Sequence, residues 1–431
     1  MTSTALLTDR YELTMLDAAL RDGTALRPSV FEVFSRRLSG GRRYGVLAGT
    51  GRVLDAVEAF RFGDTELDWL RTEGVVSSRT LDWLADYRFS GSISGYREGE
   101  LYFPSSPVLT VEGTFAEGVI LETLILSILN ADSAIATAAA RMVSAAGERP
   151  LAEMGSRRTH EQAAVSSSRA AWIAGFSATS NLEAGRTWGV PTMGTAAHAF
   201  TLLHDSEEEA FRAQIDAMGA GTTLLVDTYD VMAAIETAVR LVGRDLGAVR
   251  IDSGDLPVVV KAVRDRLDEL GATSTRITVT NDLDEYAIAA LAASPVDSYG
   301  AGTRLVGGSG HPTAGFVYKL VERADVDGSM RPVAKKSVEK AGNAGRKWAF
   351  RLLEDGVAIQ ERIVVADAEP EVAGARDLVV PLVVDGRIDP AFTGTAGVRA
   401  AREHHARVVA ELPQVAMRLS GGDPAIPTVL A

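Results

Sequence analysis

Two adjacent arginines, Arg157 and Arg158, stand in EMGSRRTHE, where an apolar run gives way to a helical pattern. A guanidinium pair at a helix start suits a carboxylate or a phosphate, because forked N–H donors and free backbone amides both seek negative charge. The same pair on a surface would only form salt bridges. VRIDSGD gathers Arg250, Asp252, Ser253 and Asp255, a set able to meet a magnesium-bound phosphate or to satisfy itself structurally. LLVDTYD adds Asp227 and Asp230, of which one suits the cap of the next helix. VTNDLDE offers Asn281 and Asp282, again either ligand groups or caps. In YGAGTRL, Gly300, Gly302 and Thr303 would turn backbone N–H groups toward an anion, or merely make a turn. Ser180 and Asn181 fall near a helix start in ATSNLEAG, and Tyr11 lies on an amphipathic pattern. His198, in GVPTMGTAAHAF, has no plausible metal ligand or acid–base partner beside it in sequence. It is either a packed histidine bonded to a backbone carbonyl or a group that needs room around its ring.

What is missing narrows the chemistry. The chain has no G-x-x-x-x-G-K-[ST], no G-x-G-x-x-G after a strand and no H-E-x-x-H. It has no cysteine, which excludes disulfides, zinc–thiolate sites and thiol nucleophiles. A net charge of -13 argues against nucleic acid and against anionic membrane surfaces, both of which need a basic face. The N-terminus MTSTALLTDRYELTM lacks the basic and apolar regions of a signal peptide, and the apolar run GVILETLILSIL carries a glutamate and reads as too short to span a bilayer. A cytoplasmic location is expected.

The elements that must carry these residues follow from periodicity. PLAEMGSRR, VPTMGTAAH, TTLLVDTYD, AVRIDSGD, ITVTNDL and VDSYGAGT are six short apolar runs, most of them separated by helical segments such as LPVVVKAVRDRLDELG. That alternation implies parallel strands with helical crossovers, and each run ends in polar residues or glycine at the edge where such folds bind ligands. The fold class expected is α/β, an irregular TIM-like barrel with an additional α+β domain built from the N-terminal region and late segments. A doubly wound sheet would alternate in the same way, but the polar ends are spread over six strands instead of one crevice. The expected division is an N-terminal α+β domain at 1–114, a barrel at 115–320, and a strand-rich segment with a helical tail at 321–431, part of which packs on the first domain.

Within the N-terminal part, Asp9 and Glu12 have capping-box spacing for a helix running to about Gly23. SVFEVF alternates like a strand, and GSISGYREGELYFPSSPVLTVEGTF reads as a small antiparallel sheet. From Phe115 to Ala146 the pattern is helical, with a break expected near Asn130-Ala131-Asp132. Jointly, the arginines, glycine amides and carboxylates describe a site for a phosphorylated, metal-bound substrate and a second anionic ligand.

The ordered set TDRYELTM, FEVFSRRL, RRYGVLAGTGRVL, EMGSRRTHE, ATSNLEAGRTWGVPTMGTAAHAF, VDTYD, RIDSGDL, TNDLDE and YGAGTRLV resembles the nicotinate phosphoribosyltransferases, type II phosphoribosyltransferases, from about residue 6 to 350. The resemblance implies that nicotinate and 5-phosphoribosyl 1-diphosphate give nicotinate mononucleotide and diphosphate with Mg2+, coupled to ATP hydrolysis, in NAD salvage. It implies a homodimer with shared active sites, no nucleic acid and no membrane. His198 takes the position of the histidine transiently phosphorylated by ATP, and Asp252 joins it as a catalytic residue. Tyr11, Arg157, Thr195, Arg250 and Ser180 match residues around the nicotinate. Arg158, Ser253, Asn281, Gly300, Gly302 and Thr303 match contacts to phosphoribosyl diphosphate, while the ligands of the metal stay open.

Two departures stand out. Ala199 follows the histidine where many relatives have serine, and KSVEKAGNAGRKWAFR carries N-A-G where the family has a Pro-Gly turn. The nearest rival is nicotinamide phosphoribosyltransferase, whose members carry an aspartate where this chain has Ser180. A neutral serine does not repel a carboxylate, so the acid is the expected substrate. A non-catalytic metabolite-binding barrel would be expected to lose His198 or the Arg250–Asp255 cluster. A sugar-phosphate aldolase would need a Schiff-base lysine at a strand end, and Lys261, the only lysine before Lys319, falls in a predicted helix.

Overall fold

The computed structural model describes residues 3–335 and 343–431, so residues 336–342, the first part of KSVEKAGNAGRKWAFR, lie outside the described residues. The chain divides into two compact units, Met1–Thr137 with His311–Ala431, and Ala138–Gly310.

The first unit is built on mostly antiparallel sheets, the exception being Val357–Val365, which pairs parallel with Thr428–Leu430. Its larger sheet runs, in spatial order, Met330–Pro332, Phe316–Ala324, Pro28–Ser35, Leu109–Thr114, Ser92–Tyr96, Val379–Val384 and Arg387–Ile388. SVFEVF is indeed a strand and lies inside this sheet, with Phe31 stacked on Tyr318 at a centroid distance of 5.0 Å. A smaller sheet orders Ala375–Asp377, Lys347–Glu354, Val357–Val365 and Thr428–Leu430.

Two local expectations are corrected here. The helix Arg10–Asp22 ends on Gly23 at φ 85°, as its spacing predicts, but Asp9 makes no side-chain cap. Glu12 is fully buried and accepts the N–H of Thr123 at 2.9 Å, so its carboxylate serves a tertiary contact instead of a capping box. The helical stretch breaks at Ile120–Leu121 and then runs unbroken from Glu122 to Ala146. Asn130 and Asp132 do not interrupt it, because their side chains turn outward to partners. Asn130 Oδ1 accepts the N–H of Phe316 at 2.8 Å, and Asp132 pairs with Arg52 at 2.7 Å. This helix is long and apolar enough to cross a membrane, contrary to the shorter run read from sequence, yet 72% of its most apolar window is buried inside the protein. It is a core helix.

The second unit is α/β. Six parallel strands, β1 (Leu151–Glu153), β2 (Ala178–Thr179), β3 (Thr223–Leu225), β4 (Ala248–Ile251), β5 (Arg276–Thr280) and β6 (Ser298–Ala301), pair in the order β2-β1-β6-β5-β4-β3. They form a curled parallel half-barrel. Strand residues alternate between its faces. Val249, Ile251, Ile277 and Val279 are completely buried, as residues facing the crossover helices should be, and each such side chain contributes about 1.5–3 kcal/mol. The opposite face carries small or polar groups: Ala152, Ala178, Thr223, Arg250, Thr278 and Ser298.

One of the six predicted runs is not a strand. VPTMGTAAH contributes only a bridge, Thr192 to Thr179, and the sixth strand is the pair Ala178–Thr179 just before Ser180. Lys261 sits on the helix Leu256–Glu269, exposed and paired with Asp265 at 2.6 Å, far from the chemistry an aldolase lysine would need.

Candidate active site

All six strands point the same way, so the residues that follow them collect along one edge. In sheet order these are Ser180 and Asn181 after β2, Met154 to Arg158 after β1, Gly302 and Thr303 after β6, Asn281 and Asp282 after β5, Asp252 to Asp255 after β4, and Asp227 to Asp230 after β3. His198 arrives from outside the sheet. The segment beyond the Thr192 bridge leaves β2, and its Thr195 reaches β4 while His198 reaches the end of β3. Residues 192–198 thus run between the two open margins of the curled sheet.

The imidazole of His198 is not sealed in packing. Its side chain is 41% exposed, its Nδ1 lies 3.0 Å from Thr228 Oγ1, and its Nε2 lies 3.8 Å from Asp227 Oδ1. Among the described residues no backbone carbonyl holds it, which sets aside the packed-histidine reading. Asp227 is nearly inaccessible at 2%. Its Oδ2 accepts the N–H of Asp252 at 2.8 Å and the hydroxyl of Ser253 at 2.7 Å, while its Oδ1 is buried with no hydrogen-bond partner among the described residues. A buried carboxylate oxygen left unsatisfied costs free energy unless a cation or donor meets it. His198 Nε2 faces it at 3.8 Å.

Arg250 is held from three sides. Its Nε donates to Thr280 Oγ1 at 3.0 Å, its Nη1 to Thr195 Oγ1 at 3.1 Å and to the carbonyl of Ala196 at 3.3 Å, and its Nη2 lies 3.4 Å from Asp252 Oδ2. Thr280 donates in turn to Asp252 Oδ1. The guanidinium therefore faces a cavity of ≈ 250 Å³ on the inner face of the half-barrel, bordered by Thr195, Met193, Ala152 and Ala178 as well. Small side chains keep this space open for a flat ring, and one fixed guanidinium supplies the charge that a ring carboxylate needs.

Arg157 and Arg158 are both exposed, and neither guanidinium makes a hydrogen bond or ion pair among the described residues. The salt-bridged-pair reading is set aside. Ser180 is exposed, with its N–H on the carbonyl of Glu153 at 2.9 Å. Asn181 caps its helix through Ala184 N–H at 2.9 Å, and Asp230 caps the next through Ala233 N–H at 2.8 Å. Asn281 stands at φ 145°, a conformation few non-glycine residues adopt, and its Oδ1 accepts the N–H of Asp282. The helix after it is capped by Asp284, not by Asn281 or Asp282.

Gly300 corrects its expected role. It lies buried within β6, where a Cβ would come 2.7 Å from both Met154 Sδ and Thr280 Cγ2, so it allows close strand packing and presents no amide at the rim. Gly302 is at the strand end, with Thr303 exposed beside it. Tyr11 belongs to the first unit, on the helix Arg10–Asp22, and is 46% exposed.

Sequence reasoning passed over several contributors. Thr228 sits inside VDTYD, and only the fold brings its hydroxyl to the imidazole. Glu153, fully buried next to the arginines in EMGSRR, accepts the N–H of Gly155 and the hydroxyls of Ser168, at 2.8 Å, and Thr179. It ties the loop carrying Arg157 to the end of β2. Glu207, in the first turn of Glu207–Met218, is pushed up to about 7, first by burial and then by the like charge of Asp230.

Among the described residues, no group of three or more His, Asp or Glu side chains could hold a metal by itself. Mg2+ commonly binds through one or two carboxylates plus substrate phosphates, and Asp252, one-third exposed at the rim, fits that limited share.

An open imidazole, uncommitted guanidiniums and a carboxylate pair, gathered at the carboxyl edge of a curled parallel sheet, define an α/β enzyme that handles phosphates. The family described as nicotinate phosphoribosyltransferase (NAPRTase) N-terminal domain matches residues 6–130. Over nearly its whole length the chain is 56% identical to a nicotinate phosphoribosyltransferase of Mycobacterium tuberculosis, covering 98% of this chain and 94% of the relative. It is 37% identical to the nicotinate phosphoribosyltransferase of Bacillus subtilis, over 81% of this chain and 74% of the relative. Its fold is similar to human nicotinic acid phosphoribosyltransferase, with TM-score 0.83, 25% identity and coverage of 98% and 97% of the two chains. The chain belongs to the nicotinate phosphoribosyltransferase family.

Proposed function

We propose that this protein joins nicotinate to 5-phosphoribosyl 1-diphosphate, forming nicotinate mononucleotide and diphosphate, and couples that reaction to ATP hydrolysis through a phosphorylated His198. The observation that carries this reading is the exposed imidazole of His198 between Thr228 and the buried, half-satisfied Asp227. ATP passes its terminal phosphoryl group to an imidazole nitrogen and leaves as ADP. Ala197 and Ala199 leave room for that group, and hydrolysis of the P–N bond later returns phosphate and free histidine.

In the transfer step, the lone pair of the pyridine nitrogen forms the new bond to the ribose anomeric carbon. The C–O bond to diphosphate breaks, and its electron pair departs with the leaving group, so no proton moves. Charge builds on an oxocarbenium-like ribose and on the diphosphate, and the protein's work is alignment and stabilisation of that charge. Arg250, braced by Thr195 and Thr280, pairs with the nicotinate carboxylate from the inner cavity, helped by Arg157, with neutral Ser180 alongside, and Tyr11 stacks on the pyridine ring in the neighbouring subunit's site. Arg158, Ser253, Asn281, Gly302 and Thr303 meet the phosphoribosyl diphosphate. Mg2+ bound with the diphosphate would lie against Asp252 and supply charge neutralisation on the leaving group.

We further infer that the half-barrel, supplemented by residues 192–198, is the working equivalent of an irregular TIM-like barrel, with the first unit as its α+β companion. The exposed apolar side chains Leu182, Leu202, Leu203, Tyr229 and Val258, all shortly after strand ends or His198, support a homodimer with shared sites. Light scattering that gives a monomer at micromolar concentration would count against it. Location in the cytoplasm accords with such metabolism.

The test is direct. Incubation with nicotinate, phosphoribosyl diphosphate and Mg2+, with and without ATP, should give nicotinate mononucleotide, faster with ATP. The value of kcat/KM should favour nicotinate over nicotinamide, and a preference for the amide would overturn the assignment.

A further inference from the structure

The first unit holds a second cavity, of ≈ 310 Å³, that the reaction above does not use. Its floor is apolar: Phe60 and Val383 are buried at 1% exposure each, with Val57 and Ile388 beside them. Phe89 forms a half-buried wall. Three arginines, Arg61, Arg88 and Arg387, line the same cavity together with one carboxylate residue, Glu58.

The charge balance is unusual for this protein. Acidic residues outnumber basic ones 57 to 44, and outside the active site several exposed arginines, such as Arg186, Arg240 and Arg266, are held in ion pairs. Arg61, Arg88 and Arg387 make none among the described residues. Two of them are steadied by backbone: Arg61 Nε donates to the carbonyl of Glu58 at 2.9 Å, and Arg88 Nη1 donates to the carbonyl of Tyr87. Those bonds fix the guanidinium stems and leave their other N–H donors uncommitted. Three guanidiniums against one carboxylate leave this concave site with an excess of positive charge, which an anion would offset. The apolar floor and the aromatic wall ask for a flat ring besides.

We propose that this cavity binds a phosphorylated ligand bearing a flat ring, a mononucleotide in size and chemistry, with the phosphate on Arg61, Arg88 and Arg387 and the ring against Phe89. Its volume lies at the small end of small-molecule pockets, roughly 300–1,000 Å³, which suits a mononucleotide better than a dinucleotide.

The experiment uses the full chain with AMP, nicotinate mononucleotide and inorganic phosphate as separate probes. Hydrogen–deuterium exchange should slow at residues 57–61, 86–89 and 383–388 with one or both mononucleotides, and the two arms tell an adenine ring from a pyridine ring. In calorimetry the wild type should show a binding event beyond the active site. That event should weaken about tenfold in R88Q/R387Q, as loss of charge-assisted bonds predicts, with Tm and kcat unchanged. R88K/R387K should restore part of it. Equal binding by wild type and R88Q/R387Q would overturn the proposal, as would absence of protection at these segments with millimolar mononucleotide. Phosphate acting as well as either mononucleotide would overturn the ring assignment. If R88Q/R387Q fails to fold, the wild-type exchange pattern alone decides.

Discussion

In the first unit, Arg351 is completely inaccessible, with Nη2 2.8 Å from Glu361 and Nη1 3.9 Å from Glu100. Glu100 also meets Arg376 at 2.7 Å and His404 at 2.8 Å, and these partners hold its carboxyl well below the usual range against the opposing pull of burial. In the second unit, Arg157 and Arg158 lie in the open without partners among the described residues, and His198 has a hydroxyl on one nitrogen and a carboxylate beyond bonding distance of the other. The same residue types thus do different work. Where charges are buried and mutually paired, removing one leaves another stranded in low dielectric, so they report on the fold. Where they are exposed and uncommitted, the missing partner is a ligand, so they report on function.

That contrast can be broken by mutation. The largest effect should be His198→Ala, which is expected to abolish ATP hydrolysis and its coupling, with only slow uncoupled transfer left and Tm hardly moved. Acid-labile phosphate on the wild type after ATP treatment, absent from the variant, would support this; undiminished coupled turnover would refute it. On the other side, Arg351→Ala should lower stability by about 3–5 kcal/mol in urea unfolding, because it leaves the buried Glu361 without its cationic partner. A loss under 1 kcal/mol would mean that the buried network is not structural in the sense argued.

His405 sharpens the same contrast through pH. Burial, first of all, depresses its imidazole to about 4 from 6.5, and the ring stays neutral with Nδ1 3.0 Å from the carbonyl of Gly99. The folded value lies below the unfolded one, so this contribution is complete above pH 6.5 and is lost as pH falls toward 4. The loss is on the order of 3 kcal/mol. His405→Gln should flatten the acid limb of the stability curve over that window; identical limbs would contradict it.

Arg250→Ala should mainly raise the KM for nicotinate, by about tenfold or more, since a charge-assisted pair is removed. If only the KM for phosphoribosyl diphosphate moves, the arginine has been assigned to the wrong end of the cavity. The smallest effect is expected from Asp227→Asn, which keeps acceptors for Asp252 and Ser253 but removes the negative charge facing Nε2. A fall in kcat of about tenfold, with Tm little changed, would mark Asp227 as a positioning residue; a large drop in Tm would make it structural.

How far the site was legible in the sequence follows from which contacts are local. EMGSRR, RIDSGD and VDTYD announced a strand followed by a polar end, and the parallel sheet brings each of them to one edge. VPTMGTAAH has the same look and proved to be a single bridge followed by a crossing segment, because its neighbours on either side are chosen by the curl of the sheet and not by its own alternation. Gly300 and Gly302 are alike in sequence, yet one fills a gap between strands and the other ends one. Asn130 and Asp132 read as helix breakers, but tertiary partners took up their polar groups and the helix continued.

By itself, then, the sequence determined the residue types, their order and the alternation of strand and helix, since these depend on side-chain chemistry and on periods of a few residues. It also determined the family, through motifs kept in order along the chain. Only the tertiary structure decided that Thr228 and a buried Asp227 frame His198, that Thr195 and Thr280 brace Arg250, and that Arg157 and Arg158 stay uncommitted. Each of those facts depends on groups tens of residues apart meeting within a few ångströms, and hydrogen bonding and desolvation act at that range alone.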